Sequence, residues 1–177
     1  LPGTSEAAAE FVESNLLHAN LALKAGNVEP AIADMLASLR TEHLLANEAE
    51  LRIRVHALFS VILSEIGARK KAVQHQENAL AMILGIEKNY SGRRCHILGR
   101  LAGTYLEAGE GQAALRTAHL SRICQEKMGS NHGQASALNN LGIFHFKLGN
   151  RDSASWYYNR AAEVSGKPAS NIYGSIR

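Results

Sequence analysis

Four glycines, Gly26, Gly67, Gly109 and Gly149, fall 41, 42 and 40 residues apart, and each is flanked by small residues at fixed distances. Five positions after them stand Ala31, Ala72, Ala114 and Ala154. Seven positions before them stand Ala19, Ser60, Ala102 and Gly142, and twelve after them Ser38, Ala79, Ser121 and Ala161. Chance repeats one such offset, not the whole set in every copy. Paired helices touch where side chains are smallest, because only there can two backbones come close. The copy around Gly149 shows the unit. Leu138, Leu141, Gly142, His145 and Leu148 share a helical face at spacings of three and four. Gly149 then suits the left-handed residue past a helix end, and Asn150 can cap the next helix, which carries Ala154, Trp156, Tyr157, Tyr158 and Ala161. The recurring unit is therefore a hairpin of two amphipathic helices.

Caps and breakers place the helices. Residues 1–4 read as a lead without regular structure. Ser5 is the expected cap of the first helix, with Glu6 in a favourable acidic first turn, and that helix ends near Ala25. Asn27 opens the second, Pro30 sits in its first turn where a missing N–H costs little, and the helix is expected to reach about Ala46. The third and fourth span roughly 48–66 and 69–87. Asn89-Tyr90-Ser91-Gly92 breaks the chain, and Ser91 caps a fifth helix ending at Ala108. Three more follow at about 111–127, 132–148 and 151–164. No stretch sustains the alternation of a strand.

These residues resemble the tetratricopeptide repeat family, which keeps a large apolar residue, a small one, an aromatic, a turn glycine and two alanines at these offsets. The best copy reads Leu141, Gly142, His145, Gly149, Ala154, Tyr158, Ala161; the weakest reads His18, Ala19, Ala22, Gly26, Ala31, Met35, Ser38. The family's usual repeat is about 34 residues. The longer period here is similar to that of kinesin light chains, spindle-orientation adaptors and many bacterial regulators. The resemblance implies an all-α fold, a right-handed α-α superhelix (solenoid) of four helical hairpins over residues 5–165. The repeats would lie at about 5–46, 48–88, 91–129 and 131–165, with 166–177 starting a further repeat or capping the last. It also places His18 and His145 at core positions, as half-buried packing histidines.

Composition narrows the function. With 46% apolar and 20% charged residues, the chain of 177 is expected to fold. No run of about 18 apolar residues occurs, so no membrane span is expected. The net charge of +3 is mild, and nucleic-acid binding would want a basic stripe. Arg69-Lys70-Lys71 and Arg93-Arg94 read as solvated runs. Cys95 and Cys124 are expected as free thiols in a reducing, cytoplasmic setting, with a disulfide between them as the open alternative. No cofactor and no metal are expected, since no Cys-x-x-Cys or His-x-x-x-His pair exists, and no phosphate-binding glycine loop occurs either. The chain opens on Leu1 rather than Met, so a longer protein is expected around it.

In a solenoid of this kind the first helix of each hairpin lines a concave face. The partner-binding residues expected there are Asn20 and Lys24, then Arg54, then His96 and Arg100, then Asn139, Asn140, Ile143, Phe146 and Lys147. Leu16 is expected on the same face, and Gln125 on the outer one. Apolar residues supply area, while amides and arginines supply directed hydrogen bonds. Gly99 and Gly103 lie four apart there, and each costs about 1 kcal/mol inside a helix. A bound segment close to the backbone or tight packing of neighbouring helices would each offset that. Some family members grip a C-terminal carboxylate with lysines and asparagines. Here Asn20, Arg54 and Arg100 are only fragments of that set, and Leu16, Ala57, Val61 and Ile143 hold other places of it, so that clamp is not expected. Asn140 does resemble the asparagine with which longer-repeat adaptors bond peptide backbone. The expected function is a non-catalytic protein–protein interaction module for a protein or peptide, with an acidic segment favoured by the positive charge. The alternative is a sensory or regulatory segment of a larger bacterial signalling protein, such as a transcription regulator or diguanylate cyclase. Self-association through an open C-terminal end near Ile172 and Tyr173 is a further expectation.

Overall fold

The computed structural model describes residues 2–166. Eight α-helices occur among them: α1 (Ser5–Lys24), α2 (Val28–Arg40), α3 (Ala49–Glu65), α4 (Arg69–Ile86), α5 (Gly92–Glu107), α6 (Gly111–Lys127), α7 (Asn131–Lys147) and α8 (Arg151–Ser165). No strand is present among the described residues. The four recurring glycines each turn the chain between the two helices of a hairpin, with φ between 75° and 83°. All twelve small residues at the recurring offsets are buried. The chain divides into two compact units, Leu1–Ile86 and Glu87–Arg177, each holding two hairpins.

Unit 1 packs α1 on α2, α3 on α4, and the first hairpin on α3. Its core includes Val12, Leu16, Met35, Leu45, Phe59 and Ile62. The second helix stops six residues short of the expected end. Thr41 is buried, its hydroxyl donates to the Ser38 carbonyl at 2.8 Å, and a 3-10 turn follows at Glu42–Leu44. That tighter turn lets Leu45 drop fully into the core. It also presents Glu42 to α3, where Arg52 Nε donates to Glu42 Oε1 at 2.9 Å. His56 Nε2 stands 3.3 Å from the same oxygen, and His56 Nδ1 lies 2.7 Å from His75 Nδ1 on α4. A half-buried polar chain thus crosses three elements, with Phe59 edge-on to the His75 ring.

Two local expectations change. Thr4, not Ser5, caps α1, with its side chain accepting from the Ala7 N–H, and neither Asn27 nor Asn150 makes a side-chain cap bond. His18 is not a packing residue: its side chain is 64% exposed and pairs with Asp34 at 2.6 Å. The first copy of the pattern is the weakest, and a polar ring finds a carboxylate outside the core more readily than an apolar place within it.

Unit 2 packs α5 on α6, α7 on α8, α6 on α7 and, more lightly, α5 on α7. Its core includes Ala102, Ala114, Ala118, Leu141 and Phe144, with Ile143 and Tyr157 against it. Ser91 caps α5 as expected, and Ser130 caps α7. Gly142 leaves room for a neighbouring side chain, since a Cβ there would stand 2.6 Å from the Tyr158 ring. His145 is half-buried and stacks on Tyr157, with centroids 5.1 Å apart.

The two helical glycines Gly142 and Gly103 should respond to alanine with opposite signs. Alanine gains about 1 kcal/mol over glycine in a helix. At Gly103 nothing lies within 4 Å of the added Cβ, so Gly103→Ala should raise the urea midpoint. At Gly142 the buried Tyr158 ring blocks the methyl, and overpacking of about 1–3 kcal/mol should lower the midpoint instead. Equal shifts of one sign would refute the packing at Gly142. A second expectation concerns pH. Burial, then the neighbouring His56, lower the His75 pKa from 6.5 to about 4, against a smaller opposing pull from Glu42. Between those values the unfolded chain takes up the proton more readily, so the stability held by neutral His75 is complete above about 6.5 and is lost as pH falls towards 4. The urea midpoint should therefore fall from pH 7 to pH 5, and His75→Gln should flatten the fall. An unchanged slope in the variant would remove His75 as its source.

Candidate functional site

Three of the expected partner-binding residues meet in one place. His96 and Arg100 on α5 and Asn140 on α7 line a pocket of about 290 Å³ in unit 2. Gly99 and Cys95 of α5, Ser121 and Gln125 of α6, and Gly133, Ser136 and Ala137 of α7 complete it. The helical phase brings them together: 96, 99 and 100 share one face of α5, and 133, 136, 137 and 140 one face of α7.

The electrostatics of this pocket centre on Arg100. Desolvation lowers its guanidinium below the ordinary range, against a smaller opposing pull from Glu107. Its side chain makes no ion pair or hydrogen bond among the described residues. Desolvation, and then Arg100 itself, also lower the His96 pKa, so that ring is neutral at pH 7 and can donate or accept. The arrangement is a partly desolvated cation beside neutral hydrogen-bonding groups. It has the chemistry to hold an anion and orient amides. No group of three or more His, Cys, Asp or Glu side chains placed to hold a metal occurs among the described residues.

The remaining expected residues lie elsewhere. Asn139 is half-buried, Ile143 packs on the core, and Phe146 and Lys147 are exposed near the end of α7; none of them lines the pocket. In unit 1, Asn20 Nδ2 donates to the Leu16 carbonyl at 2.7 Å, Lys24 is exposed, and Arg54 pairs with Glu13 at 3.9 Å. Leu16 is only 2% exposed and belongs to the core rather than to any binding face. The C-terminal end around Ile172 and Tyr173 lies outside the described residues.

Gln125 is a correction. It lines the pocket rather than the outer surface, and its side-chain oxygen would stand 2.1 Å from a Cβ at residue 133. The signal that could have found it is Gly133, a glycine in the first helical turn just past the break at Gly129-Ser130. A glycine there leaves room for the side chain of the preceding helix. The two accounts of Gly99 and Gly103 also separate. A Cβ at Gly99 would sit 3.3 Å from Ser121 Oγ, which is close packing, whereas Gly103 faces open space.

Cys95 and Cys124 are joined in a disulfide, not free. Cys95 on α5 and Cys124 on α6 bring their Cα atoms to 5.3 Å, beside the Ser121 hydroxyl that donates to the Cys95 carbonyl at 3.1 Å. The small residue Ser121 permits that approach. The two cysteines therefore give no argument for a reducing compartment, because disulfides persist mainly in oxidising ones.

Hairpins of this length, turned by glycine and closed on small residues, define a class: the fold is that of the tetratricopeptide-like helical repeats. TPR-like repeats of a putative kinesin light chain from Podosopora anserina match with a TM-score of 0.80 at 15% identity, over 94% of this chain and 86% of that one. BtubC (BKLC) from P. vanneervenii matches at 0.75 and 20% identity, over 90% of this chain and 64% of that one. A Rap protein complexed with Competence and Sporulation Factor matches at 0.71 and 17% identity, over 88% of this chain and 43% of that one. The chain thus spans less than two thirds of the length of the last two. No family model and no curated protein matches the sequence.

Reduction should test the α5–α6 link. The bridge spans 29 residues of sequence, and releasing such a loop should cost roughly 3–4 kcal/mol. Thiol titration in denaturant should find no free thiol before reduction, and reduction should lower the urea midpoint. Two free thiols in the native, unreduced protein would contradict the bridge.

Proposed function

We propose that this chain is a non-catalytic protein–protein interaction module that binds an extended, acidic segment of a peptide or partner domain along the α5–α7 face of unit 2. The observation that carries this reading is the pocket of unit 2, where Arg100, still exposed to solvent and without an ion pair among the described residues, stands with His96, Asn140 and Ser136. A carboxylate there gains a guanidinium partner that is reachable from solvent, and charge-assisted bonds are the stronger kind. Asn140 bonds the backbone of the segment. Asn139, Phe146 and Lys147 extend the contact along α7. Asn20, Lys24 and Arg54 offer a weaker surface on α1 and α3 of unit 1, because Asn20 and Arg54 are already engaged. The rigid hairpin scaffold lowers the entropy cost of binding. No described helix is long and apolar enough to cross a membrane.

A second reading, a sensory or regulatory segment of a larger signalling protein, draws support from the Rap likeness. That protein of like fold is seen with Competence and Sporulation Factor, and this chain spans 43% of it.

Peptide display on the wild-type chain should enrich acidic sequences. The double change Arg100→Ala and Asn140→Ala should weaken the enriched peptides by about 1.5–3 kcal/mol, the scale of a charged hydrogen bond, without moving the urea midpoint. Enrichment without acidic residues, or peptides indifferent to the double change, would refute the α5–α7 site.

A further inference from the structure

The other side of unit 2 carries a second cavity that the α5–α7 site does not use. It holds about 270 Å³ between α6 and α8, over the N-terminal half of α7. Its apolar lining includes Leu138 and Val164. Trp156 and Tyr157 line it from α8, the two rings edge to face with centroids 4.9 Å apart. Tyr157 is held in place from two further directions, by the His145 ring stacked at 5.1 Å and by His119 edge-on at 6.0 Å. Trp156, the chain's single tryptophan, is nevertheless 59% exposed.

The charged groups at this cavity are two arginines, each beside a glutamate of its own helix. Arg122 from α6 and Arg160 from α8 line it, against one carboxylate, Glu126. Burial first, then Arg122 and His145, hold His119 below its ordinary pKa, so at pH 7 the positive charge rests on the two arginines. Each arginine bonds a glutamate on its own helix, Arg122 to Glu126 at 3.1 Å and Arg160 to Glu163 at 2.6 Å. Exposed pairs of this kind contribute little, and each uses one of the five N–H donors a guanidinium has. Both arginines therefore remain able to take a carboxylate from outside. Tryptophan, tyrosine and arginine around an apolar floor are also the residues on which protein contacts concentrate their energy.

We infer that the α6–α8 face of unit 2 is a second binding site, for a peptide segment that places one large apolar side chain between Trp156 and Leu138 and its flanking carboxylates on Arg122 and Arg160. The size of the cavity suits one such side chain, and the donors that Arg122 and Arg160 keep open suit carboxylates beside it.

Trp156 makes the test direct, since it is the only indole in the protein and lies at this cavity, not in the other. The probe is the pentapeptide acetyl-Asp-Glu-Phe-Asp-Glu-amide, titrated against the whole chain while tryptophan emission is read. A saturable shift that weakens with added salt is expected. Replacing the phenylalanine by alanine, or all four acidic residues by lysine, should each abolish it. The double change Arg122→Gln and Arg160→Gln should weaken binding about tenfold or more. Arg100→Ala with Asn140→Ala should leave it unchanged, which separates this site from the α5–α7 pocket. No saturable shift up to millimolar peptide, equal binding of the lysine peptide, or indifference to loss of both arginines would each overturn the inference. Adenosine monophosphate competing with the peptide would reassign the cavity to a nucleotide, and so overturn it too.

Discussion

The structure rests on backbone approach between the two helices of each hairpin, and that approach is possible only where the residues at the crossing are small. The position seven before each turn glycine and the position nine after it show how the space is shared. In the second hairpin these are Ser60 and Gln76, and Gln76 Nε2 donates to Ser60 Oγ at 2.5 Å inside the core. In the fourth they are Gly142 and Tyr158, and the phenol ring fills the place a Cβ would take. A hydroxyl with an amide and a hydrogen with an aromatic ring fill the same space by different chemistry. The close contact is the constant, and the residues that make it vary.

This explains what could be read along the chain. Burial of Ala31, Ala72, Ala114 and Ala154 was legible because the offsets repeat, and repetition is a geometric signal. The early end of α2 was not legible. It depends on Thr41 bonding back to Ser38 and on Leu45 reaching the core, which are tertiary events within a run that reads as helix throughout. The disulfide was legible only as an alternative to free thiols, since spacing alone does not say how close two cysteines on paired helices come. Asn27 and Asn150 carry a good capping side chain, yet the tight glycine turn before each leaves them without a cap bond.

The site was legible in part, for the same reason. Residues 96, 100 and 140 share helical phase, and phase can be counted. Gln125 comes from the neighbouring helix and enters through a space left by Gly133, so counting within one helix cannot find it. The α6–α8 face is not legible in the sequence because Tyr157 and Trp156 read as ordinary members of an amphipathic helix. Only the packing of α6 and α8 against α7 turns them, with Arg122 and Arg160, into one surface.

The covalent link between α5 and α6 also bears on how the chain would answer a mechanical load. Pulled from its two ends, each of the other hairpins can unwind to its full contour. The segment between Cys95 and Cys124 cannot, because tension passes through the sulfur bridge and bypasses it. Some 29 residues, about 100 Å of extended chain, stay locked in a closed loop. Under force the third hairpin is a knot of fixed size, and its two helices stay tethered to each other after every other contact has gone.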